Sequence, residues 1–416
     1  MAGRRRLDQV DAMRPIKQAG VVSTHTIIAF APAGAAVLSN ATLLLLHVSR
    51  EAFFFISACM LTYAYAGLNR AGMRRFYWRR FVAVGVPYLC WSVIYFLWFP
   101  YVLHNASYTA TPGSALAHFG HQLEVGYDQL YFLIVIMEFY LVFPLILALL
   151  RRTEGHHGLV IAAAVAAQFA MSIGMHWKLL PATVIAYGQE NALCYVLYLL
   201  GGAVVAFHLS DVHDWVCRHA ALVVYLTVVS ALFAEAVYFL ARMGVTRALG
   251  NGSDPFQPSV IPFNVCVLGC GYLAGIFLVR PWRSRRTRAA VRIGSDNAYG
   301  IYLAQMLFIT TLAALGWRDF ADVAPFWVWL PLTLAIAYAG SIALTAVLAR
   351  TPLAVPLTGR KREPWRTLLR RRVPAPVGAT TAAAGAAPAA PAAAARPATP
   401  PEPAALAGSA TEQNGT

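Results

Sequence analysis

The sequence predicts an all-α protein, a polytopic membrane bundle of about ten transmembrane helices with both termini in the cytoplasm. Of its 416 residues, 59% are hydrophobic and 12% are charged, and the mean hydropathy is +0.57. An ordinary soluble domain has about 25% charged residues. The composition therefore excludes a soluble globular protein and indicates an integral membrane protein.

Ten apolar runs are long enough to cross about 30 Å of hydrocarbon as helices. They span residues 15–33, 41–67, 80–102, 129–150, 159–177, 187–207, 219–241, 259–279, 297–316 and 325–349. The segments on the amino-terminal side carry twenty-five Lys and Arg residues, and those on the opposite side carry four. Because positive charge accumulates on the cytoplasmic side, both termini are expected there.

The chain divides into four predicted regions. Residues 1–14 form a cytoplasmic lead, 15–349 the transmembrane domain, 350–372 a basic juxtamembrane segment suited to anionic headgroups, and 373–416 a disordered tail rich in Ala and Pro. The formal net charge of +15 lies between apolar runs, so we expect it to set topology and not to bind nucleic acid.

The start of the chain leaves an alternative open. Arg4–Arg6, an apolar stretch and Ala33–Ala35 imitate a secretory signal peptide, and cleavage there would remove His25. The long lead carries Asp8 and Asp11, and its apolar part is interrupted by polar residues. These features favour a first helix that is retained.

That first apolar run carries a polar stripe. If it is helical, the steps from Arg14 to His25 turn through about 1,100°, so both side chains share one face, and Gln18 lies about 40° from Arg14. His25 lies about 16 Å further along the axis, near mid-bilayer if Arg14 marks the cytoplasmic edge. Polar groups at that depth are costly, so the stripe should face protein or water.

Other apolar runs contain Arg50, Glu51 and Glu138. Neighbouring helical positions point about 100° apart, so we expect Arg50 and Glu51 to find separate partners rather than to pair. Glu51 would orient the His25 ring, and Arg50 would meet an anionic ligand or another carboxylate. A structural ion pair between helices is the alternative for these groups.

No soluble-enzyme motif competes with this interpretation. The sequence has no GxSxG, Walker A, HExxH or GxGxxG motif for a hydrolase, a nucleotide site or a zinc peptidase. The six cysteines lie in or beside apolar runs, which is typical of small core residues. We expect no metal and no bound cofactor.

Arg14, ten intervening residues and His25 are the first of five segments that, in this order, resemble acyltransferase family 3, integral membrane proteins that O-acylate sugars and other hydroxyl-bearing acceptors. FFFISACML, residues 53–61, is similar to the family's aromatic-aromatic-x-x-Ser-Gly segment, with Ser57 as its serine and Ala58 in place of glycine. YWRRFVAVGVPYLCWSVIYF, residues 77–96, resembles the family's basic entry into helix three.

The remaining segments lie further along the chain. YDQLYFLIVIMEFYLVFPLI, residues 127–146, resembles a family segment beginning His-Leu-Trp-Phe-Leu, with Gln129 and Tyr131 replacing the His and Trp. NAYGIYLAQMLFI, residues 297–309, resembles Gly-Ile-Tyr-Leu-x-His, with Gln305 replacing that His. The resemblance runs from about residue 11 to 349, which makes 15–349 the expected acyltransferase domain, and it leaves His25 as the main acid/base candidate.

The resemblance implies transfer of an acyl group, with acetyl favoured, from cytoplasmic acyl-CoA as co-substrate to a hydroxyl of a carbohydrate or another acceptor. His25 would be the general base, and Arg14 would hold the donor's phosphates or its thioester region. Gln18, Arg50, Glu51, Ser57 and Glu138 would support the site. Candidates for the CoA phosphates are Arg74, Arg75, Arg79 and Arg80, with topology and anionic lipid as their alternative role.

The expected partners are the lipid bilayer, the acyl-CoA donor and a glycan, glycolipid or small-molecule acceptor. The expected location is the cytoplasmic membrane, which the chain crosses several times. Two alternatives stay open. One is a non-catalytic transporter or export component whose buried polar groups form a path, and the other is a membrane scaffold that acts through its basic tail.

Overall fold

The structure is a computed structural model, and it describes residues 7–102, 111–245, 254–280 and 283–365. Within these ranges the chain forms helices and their connections, without a strand. The α-helices of the described residues are α1 (Asp8–Phe30), α2 (Ala36–Leu46), α3 (Val48–Tyr65), α4 (Met73–Arg80), α5 (Val86–Val102), α6 (Pro112–Val125), α7 (Tyr131–Arg152), α8 (His157–His176), α9 (Ala182–Ala186), α10 (Val196–Phe207), α11 (Leu209–Arg218), α12 (Ala220–Arg242), α13 (Ile261–Val279), α14 (Arg285–Ala314), α15 (Trp317–Val323), α16 (Phe326–Leu348) and α17 (Ala354–Thr358).

By length and composition, seven helical stretches of the described chain can span a membrane, or up to nine if two bent pairs count as one span each. The seven are Ala33–Tyr65, Arg70–Pro100, Asp128–Arg152, His157–His176, Ala220–Arg242, Pro258–Val279 and Phe326–Leu348. The bent pairs are Ala192–Phe207 with Leu209–Arg218, at 99°, and Arg285–Ala314 with Trp317–Val323, at 77°. The all-helical membrane class is confirmed, and the number ten is not.

The first predicted span is the one missing from this set. The structure begins α1 at Asp8, seven residues before the predicted start, and ends it at Phe30. Its first turns thereby include Asp8, Asp11, Arg14 and Lys17. These charges make α1 more polar than a lipid-facing span.

Other helix boundaries also differ from the predicted ones. The run predicted at 297–316 is the apolar half of α14, which begins at Arg285 and has 30 residues. A hydropathy window detects only apolar residues, whereas Arg and Ala continue a helix readily. The predicted run 41–67 is divided at His47 into α2 and α3.

Helix α1 lies inside the bundle, against α3, α13, α14 and α16. Glycines permit two of these approaches. A Cβ added at Gly20 would lie 2.9 Å from the Cβ of Ser49 in α3, and one added at Gly294 of α14 would lie 2.9 Å from the Cβ of Pro15. Small residues thus let the polar stripe of α1 pass close to its neighbours.

An aromatic cluster fills the space beside α1. Phe53 of α3 stacks on Tyr302 of α14, with ring centroids 5.7 Å apart, and Phe132 of α7 contacts both rings. The hydroxyl of Tyr302 donates to the backbone carbonyl of Gln129 at 2.5 Å. The core therefore joins α3, α7 and α14 around the inner face of α1.

The chain after α16 folds back onto the bundle. We call residues 350–364 the strap, and it contains α17. Trp91 Nε1 of α5 donates to the carbonyl of Leu357 at 2.9 Å, and Gly359 ends α17 with a φ of +65°. The strap and Trp365 are the described part of the segment predicted as juxtamembrane, 350–372. Residues 366–372 and the whole predicted tail, 373–416, lie outside the described ranges.

Candidate functional site

The helix α1 holds Arg14 and His25 on one face, as predicted, because it runs without a break from Asp8 to Phe30. Pro15 lies inside this helix, and its carbonyl accepts a hydrogen bond from Tyr338 of α16 at 3.2 Å. Because eleven helical steps separate Arg14 from His25, the two side chains differ by about 20° around the axis and about 16 Å along it.

The neighbours of α1 define where this face points. Gly20 contacts α3, whereas Gln18 Nε2 donates to Gln305 Oε1 of α14 at 3.4 Å. Arg14 and His25 fall between these two directions on the helix wheel. Ile16, on roughly the opposite side, is exposed. The stripe therefore faces the groove between α3 and α14, not the outer surface.

Arg14 lies near the beginning of α1. Its guanidinium forms an ion pair with Asp11, with 3.4 Å between Nη1 and Oδ1, and 34% of its side chain is exposed. The Asp11 carboxylate is buried, whereas the Arg14 guanidinium is partly open to solvent. The guanidinium keeps donors that other groups can reach.

His25 is half-buried in the other half of the helix. Within the described chain its ring makes no hydrogen bond, and His47 lies within electrostatic range of it. An imidazole carries two polar nitrogens, which in a protein interior usually have partners. The ring is therefore available to a ligand.

Arg50 and Glu51 correct a prediction. They form a buried ion pair, with Arg50 Nη2 2.7 Å and Nε 3.0 Å from Glu51 Oε1, although adjacent positions were expected to have separate partners. The long Arg50 side chain folds across the helix surface, because an unpaired charge in this apolar setting would cost several kcal/mol. Within the described residues no hydrogen bond joins Glu51 to His25, and the second carboxylate oxygen, Oε2, has no partner.

The chain before α13 closes over Arg50. Pro255 accepts from Arg50 Nη2 at 3.3 Å, and the guanidinium lies 4.9 Å from the Phe256 ring centroid and 5.0 Å from that of Tyr195. Asp254 anchors this segment, because its carboxylate accepts from the His176 ring at 3.0 Å and from the Phe256 amide at 2.9 Å. Arg50 is thus fixed among aromatic rings.

Unpartnered polar atoms surround this pair in the described chain. His47 Nδ1, Glu51 Oε2 and both side-chain polar atoms of Gln257 are buried and make no hydrogen bond. Gln257 is 2% exposed. Since buried polar atoms normally have partners, this outer polar cluster, formed by His47, Arg50, Glu51 and Gln257, has the character of a ligand site.

The other predicted support residues have local roles or none. Glu138 Oε2 accepts from the amide of Ala192 at 2.8 Å, which secures the turn before α10. Ser57 is half-buried and makes no hydrogen bond in the described chain. Gln129 donates to Tyr95 at 3.0 Å, so it ties α5 to the turn before α7.

The basic residues of α4 separate into two groups. Arg74, Arg75 and Arg79 are exposed, and the first two line an open groove of about 770 Å³ with Trp78 and Phe81. Arg80 turns inward, where it donates to the Tyr65 hydroxyl at 3.0 Å. Arg80 therefore has a structural partner, whereas the others are accessible.

Lys17 is a residue of the site that the sequence reasoning missed. Its Nζ lies 3.7 Å from the ring centroid of Phe53, inside the bundle, and within the described chain it has no acidic partner. A signal was present, because Lys17 follows Arg14 by three positions and so lies on the same side of a helix.

The described residues contain no group of three or more His, Cys, Asp or Glu side chains that could hold a metal ion. The chemistry that this arrangement offers is that of an accessible imidazole, flanked by two cations on one side and an unsatisfied polar cluster on the other. Such a set suits proton transfer next to an anionic ligand.

Sequence comparison decides the family. A family model described as an acyltransferase domain matches residues 7–346. The chain belongs to the acyltransferase 3 family. The match begins before α1 and ends within α16, so this acyltransferase domain includes every residue of the candidate site and leaves out the strap.

One relative of this acyltransferase 3 family member is Nodulation protein 10 of Rhizobium leguminosarum bv. viciae, with 26% identity over 289 residues. The aligned region covers 68% of this chain and 64% of the relative, so the chain spans less than two thirds of the relative's length. No solved structure matches the chain.

Proposed function

We propose that this protein is a membrane O-acyltransferase that moves an acyl group, preferentially acetyl, from cytoplasmic acyl-CoA to a hydroxyl of a carbohydrate or another envelope or secondary-metabolite acceptor. The observation that carries the proposal is the His25 ring, which is half-buried, directed between α3 and α14, and without a hydrogen bond in the described chain. A costly polar group kept without a structural partner indicates function.

The reaction uses His25 as general base. One ring nitrogen takes the proton of the acceptor hydroxyl while the hydroxyl oxygen attacks the thioester carbonyl carbon. The new C–O bond forms, the C–S bond breaks, and the CoA thiolate leaves with the proton returned by His25. Arg14, nearer the start of α1, binds an anionic part of the donor.

The acceptor binds in the outer polar cluster in this proposal. A polyhydroxyl compound offers both donors and acceptors, which His47 Nδ1, Glu51 Oε2 and Gln257 need. Arg50 and the Pro255 carbonyl hold the wall of this site in place. Hydrogen bonds from the acceptor to these unpartnered atoms would contribute favourable free energy to acceptor binding.

The proposed topology has ten spans, the nine candidates and α1, with both termini in the cytoplasm of a cytoplasmic-membrane protein. Protein neighbours on several sides of α1 compensate for its polar turns. The exposed Arg74, Arg75 and Arg79 lie on the same, basic side and attract the adenosine phosphates of CoA.

The proposal is tested in cells from which the coding sequence has been deleted. Envelope glycans are analysed by intact mass and NMR after complementation with the wild type, His25→Ala or His156→Ala, the last being an exposed histidine used as a matched control. We expect an acyl group on the glycans with the wild type and the control only. Equal acylation with His25→Ala would contradict the role of His25, and retained export without any acylation would favour a transporter.

A further inference from the structure

The strap brings a cation to the end of the bundle where α1 begins. Arg362 Nε donates to the Arg350 carbonyl at 2.9 Å, and the Glu363 amide donates to the Ala349 carbonyl at 2.8 Å. These bonds hold the chain just after Arg360, and just before it the Gly359 amide donates to the Val355 carbonyl at 2.9 Å. The strap lies beyond residue 346, where the family match ends, so the match assigns it no role.

Arg360 lies within electrostatic range of Arg14. Burial lowers the pKa of the Arg360 guanidinium, and the charge of Arg14 acts in the same direction, whereas Asp296 and Glu363 oppose it. The packing agrees with this, because Gly359, next to Arg360, lies against Tyr299 of α14, and Pro15, next to Arg14, lies against Gly294 of the same helix. Like charges in a partly buried place repel each other unless an anion lies between them.

The nearby acids already have partners. Asp11 pairs with Arg14, Asp296 lies 3.8 Å from Arg292, and Glu363 lies 3.8 Å from Arg350. In the described chain, neither Lys17 nor Arg360 has a carboxylate within 4.0 Å. Positive charge is thus in excess at this end of α1.

Helix α14 adds polar groups without partners beside these cations. Ser295 follows Gly294, which contacts Pro15 of α1, and its buried hydroxyl makes no hydrogen bond in the described chain. The Tyr299 hydroxyl, one turn further along α14, is also buried without a hydrogen bond, and its ring contacts the site of Gly359 in the strap. Both hydroxyls can donate to an anion.

We propose that Arg14, Lys17 and Arg360 form an anion site that binds the diphosphate of the CoA donor, with Arg360 supplied by the strap. The inference rests on the proposed function for the identity of the donor. An anion at Lys17 lies about 12 Å along α1 from His25, which leaves the acyl-carrying arm of the donor to bridge that length. Arginine and lysine at a half-buried site are the usual ligands of phosphate groups.

The test measures binding, so that it does not depend on the acceptor. The full chain is placed in nanodiscs of neutral lipid or of lipid with added phosphatidylglycerol, and the affinities of CoA, 3′-dephospho-CoA and pantetheine are measured. The variants are Arg360→Gln, Lys17→Gln and Lys17→Arg. Lys361→Gln, which removes an exposed charge beside Arg360, is the matched control.

We expect Arg360→Gln and Lys17→Gln each to weaken CoA and 3′-dephospho-CoA binding about tenfold, which corresponds to about 1.4 kcal/mol. Pantetheine binding, the control and Lys17→Arg should stay within about twofold of the wild type under the same lipid conditions. Equal CoA affinity in wild type and Arg360→Gln would overturn the proposal. The proposal would also be overturned if the variants lost CoA affinity only in nanodiscs that contain phosphatidylglycerol, since the anion at this site would then be a lipid headgroup.

The two proposals fail in different ways. If the wild type transfers acyl groups and the Arg360 and Lys17 variants bind CoA like the wild type, the anion site is wrong and the proposed function stands. If the wild type binds CoA through these residues and transfers nothing to any hydroxyl acceptor, the anion site stands and the proposed function is wrong.

Discussion

Gln18 of α1 and Gln305 of α14 are joined by one hydrogen bond of 3.4 Å between fully buried side-chain amides. Gln305 stands where the resembling family segment has a histidine. The bond ties α1, which carries the polar stripe, to α14. Within the polar stripe of α1, Gln18 therefore has a structural partner, whereas the His25 ring makes no hydrogen bond in the described chain.

The Gln18–Gln305 bond predicts a characteristic mutant pattern. Gln18→Ala leaves Gln305 with an additional unpaired buried oxygen and should lower the free energy of unfolding by about 1–3 kcal/mol. The double variant Gln18→Leu/Gln305→Leu removes both polar groups and should recover most of that loss. Unfolding of the detergent-purified proteins by denaturant measures it, and a double variant as unstable as the sum of the single ones would contradict the pairing.

The Arg50–Glu51 pair predicts strong coupling. Glu51→Ala leaves a buried guanidinium without its carboxylate and should cost about 3–5 kcal/mol of stability. Arg50→Met/Glu51→Leu should restore most of it, and it should still lose acyl transfer because the outer polar cluster is gone. A double-mutant cycle in the same unfolding assay checks this, and additive losses would show that the two side chains do not interact.

The contact of Gly20 with Ser49 predicts a steric effect. Gly20→Ala places a methyl group 2.9 Å from the Cβ of Ser49 and should destabilise the bundle by about 1–3 kcal/mol, despite the better helix propensity of alanine. Gly20→Ala/Ser49→Gly returns the space and should be close to the wild type. Thermal unfolding compares the three proteins, and an unchanged midpoint for Gly20→Ala would contradict the close approach of α1 and α3.

The Asp254 carboxylate predicts how pH affects the segment over Arg50. Burial raises its pKa, but hydrogen bonds from His176 and from the Phe256 amide more than offset this, so the pKa of Asp254 is lowered from 3.8. A lowered folded-state pKa gives a stabilising contribution that is complete above the ordinary value and is lost as pH falls through the lowered one. The protection factor of the Phe256 amide, which compares its exchange rate with the intrinsic rate at the same pH, should stay high down to about pH 4 and fall below it.

Asp254→Asn serves as the control for that pH dependence. The amide cannot ionise, so the exchange protection of Phe256 in this variant should be weaker at neutral pH and should not change further as the pH falls toward 3. A wild-type protein whose Phe256 amide loses protection already between pH 7 and pH 5 would contradict the assignment to Asp254.

The sequence was sufficient for the features that follow from local periodicity. Arg14 and His25 share one face because a continuous helix requires it, and the apolar runs mark most spans within a few residues. The features that depend on partners distant in the chain were not predictable. Arg50 pairs with Glu51 in surroundings formed by Tyr195 and Phe256, which only the tertiary fold brings there, and no spacing rule contains that information.

Lys17 and Arg360, the two cations of the proposed anion site that the sequence did not predict, also depend on partners distant in the chain. In the sequence, Lys17 is one of several charges at the start of α1, and only the tertiary fold places its ammonium over the Phe53 ring. Arg360 lies more than 300 residues from Arg14 in sequence, and only the strap's return to the bundle brings the two together. The position of Lys17 three residues after Arg14 in one helix could suggest that it belongs to the site, but no local feature of the sequence indicates Arg360.

The most direct measurement of the central claim is acyl transfer by the purified protein in proteoliposomes that are given radiolabelled acetyl-CoA and an envelope glycan extract. The wild type and His156→Ala should label the same hydroxyl-bearing product, and His25→Ala should lower the initial rate by at least about 100-fold, because the general base is gone. A His25→Ala protein that folds normally and labels the product at the wild-type rate would contradict the account.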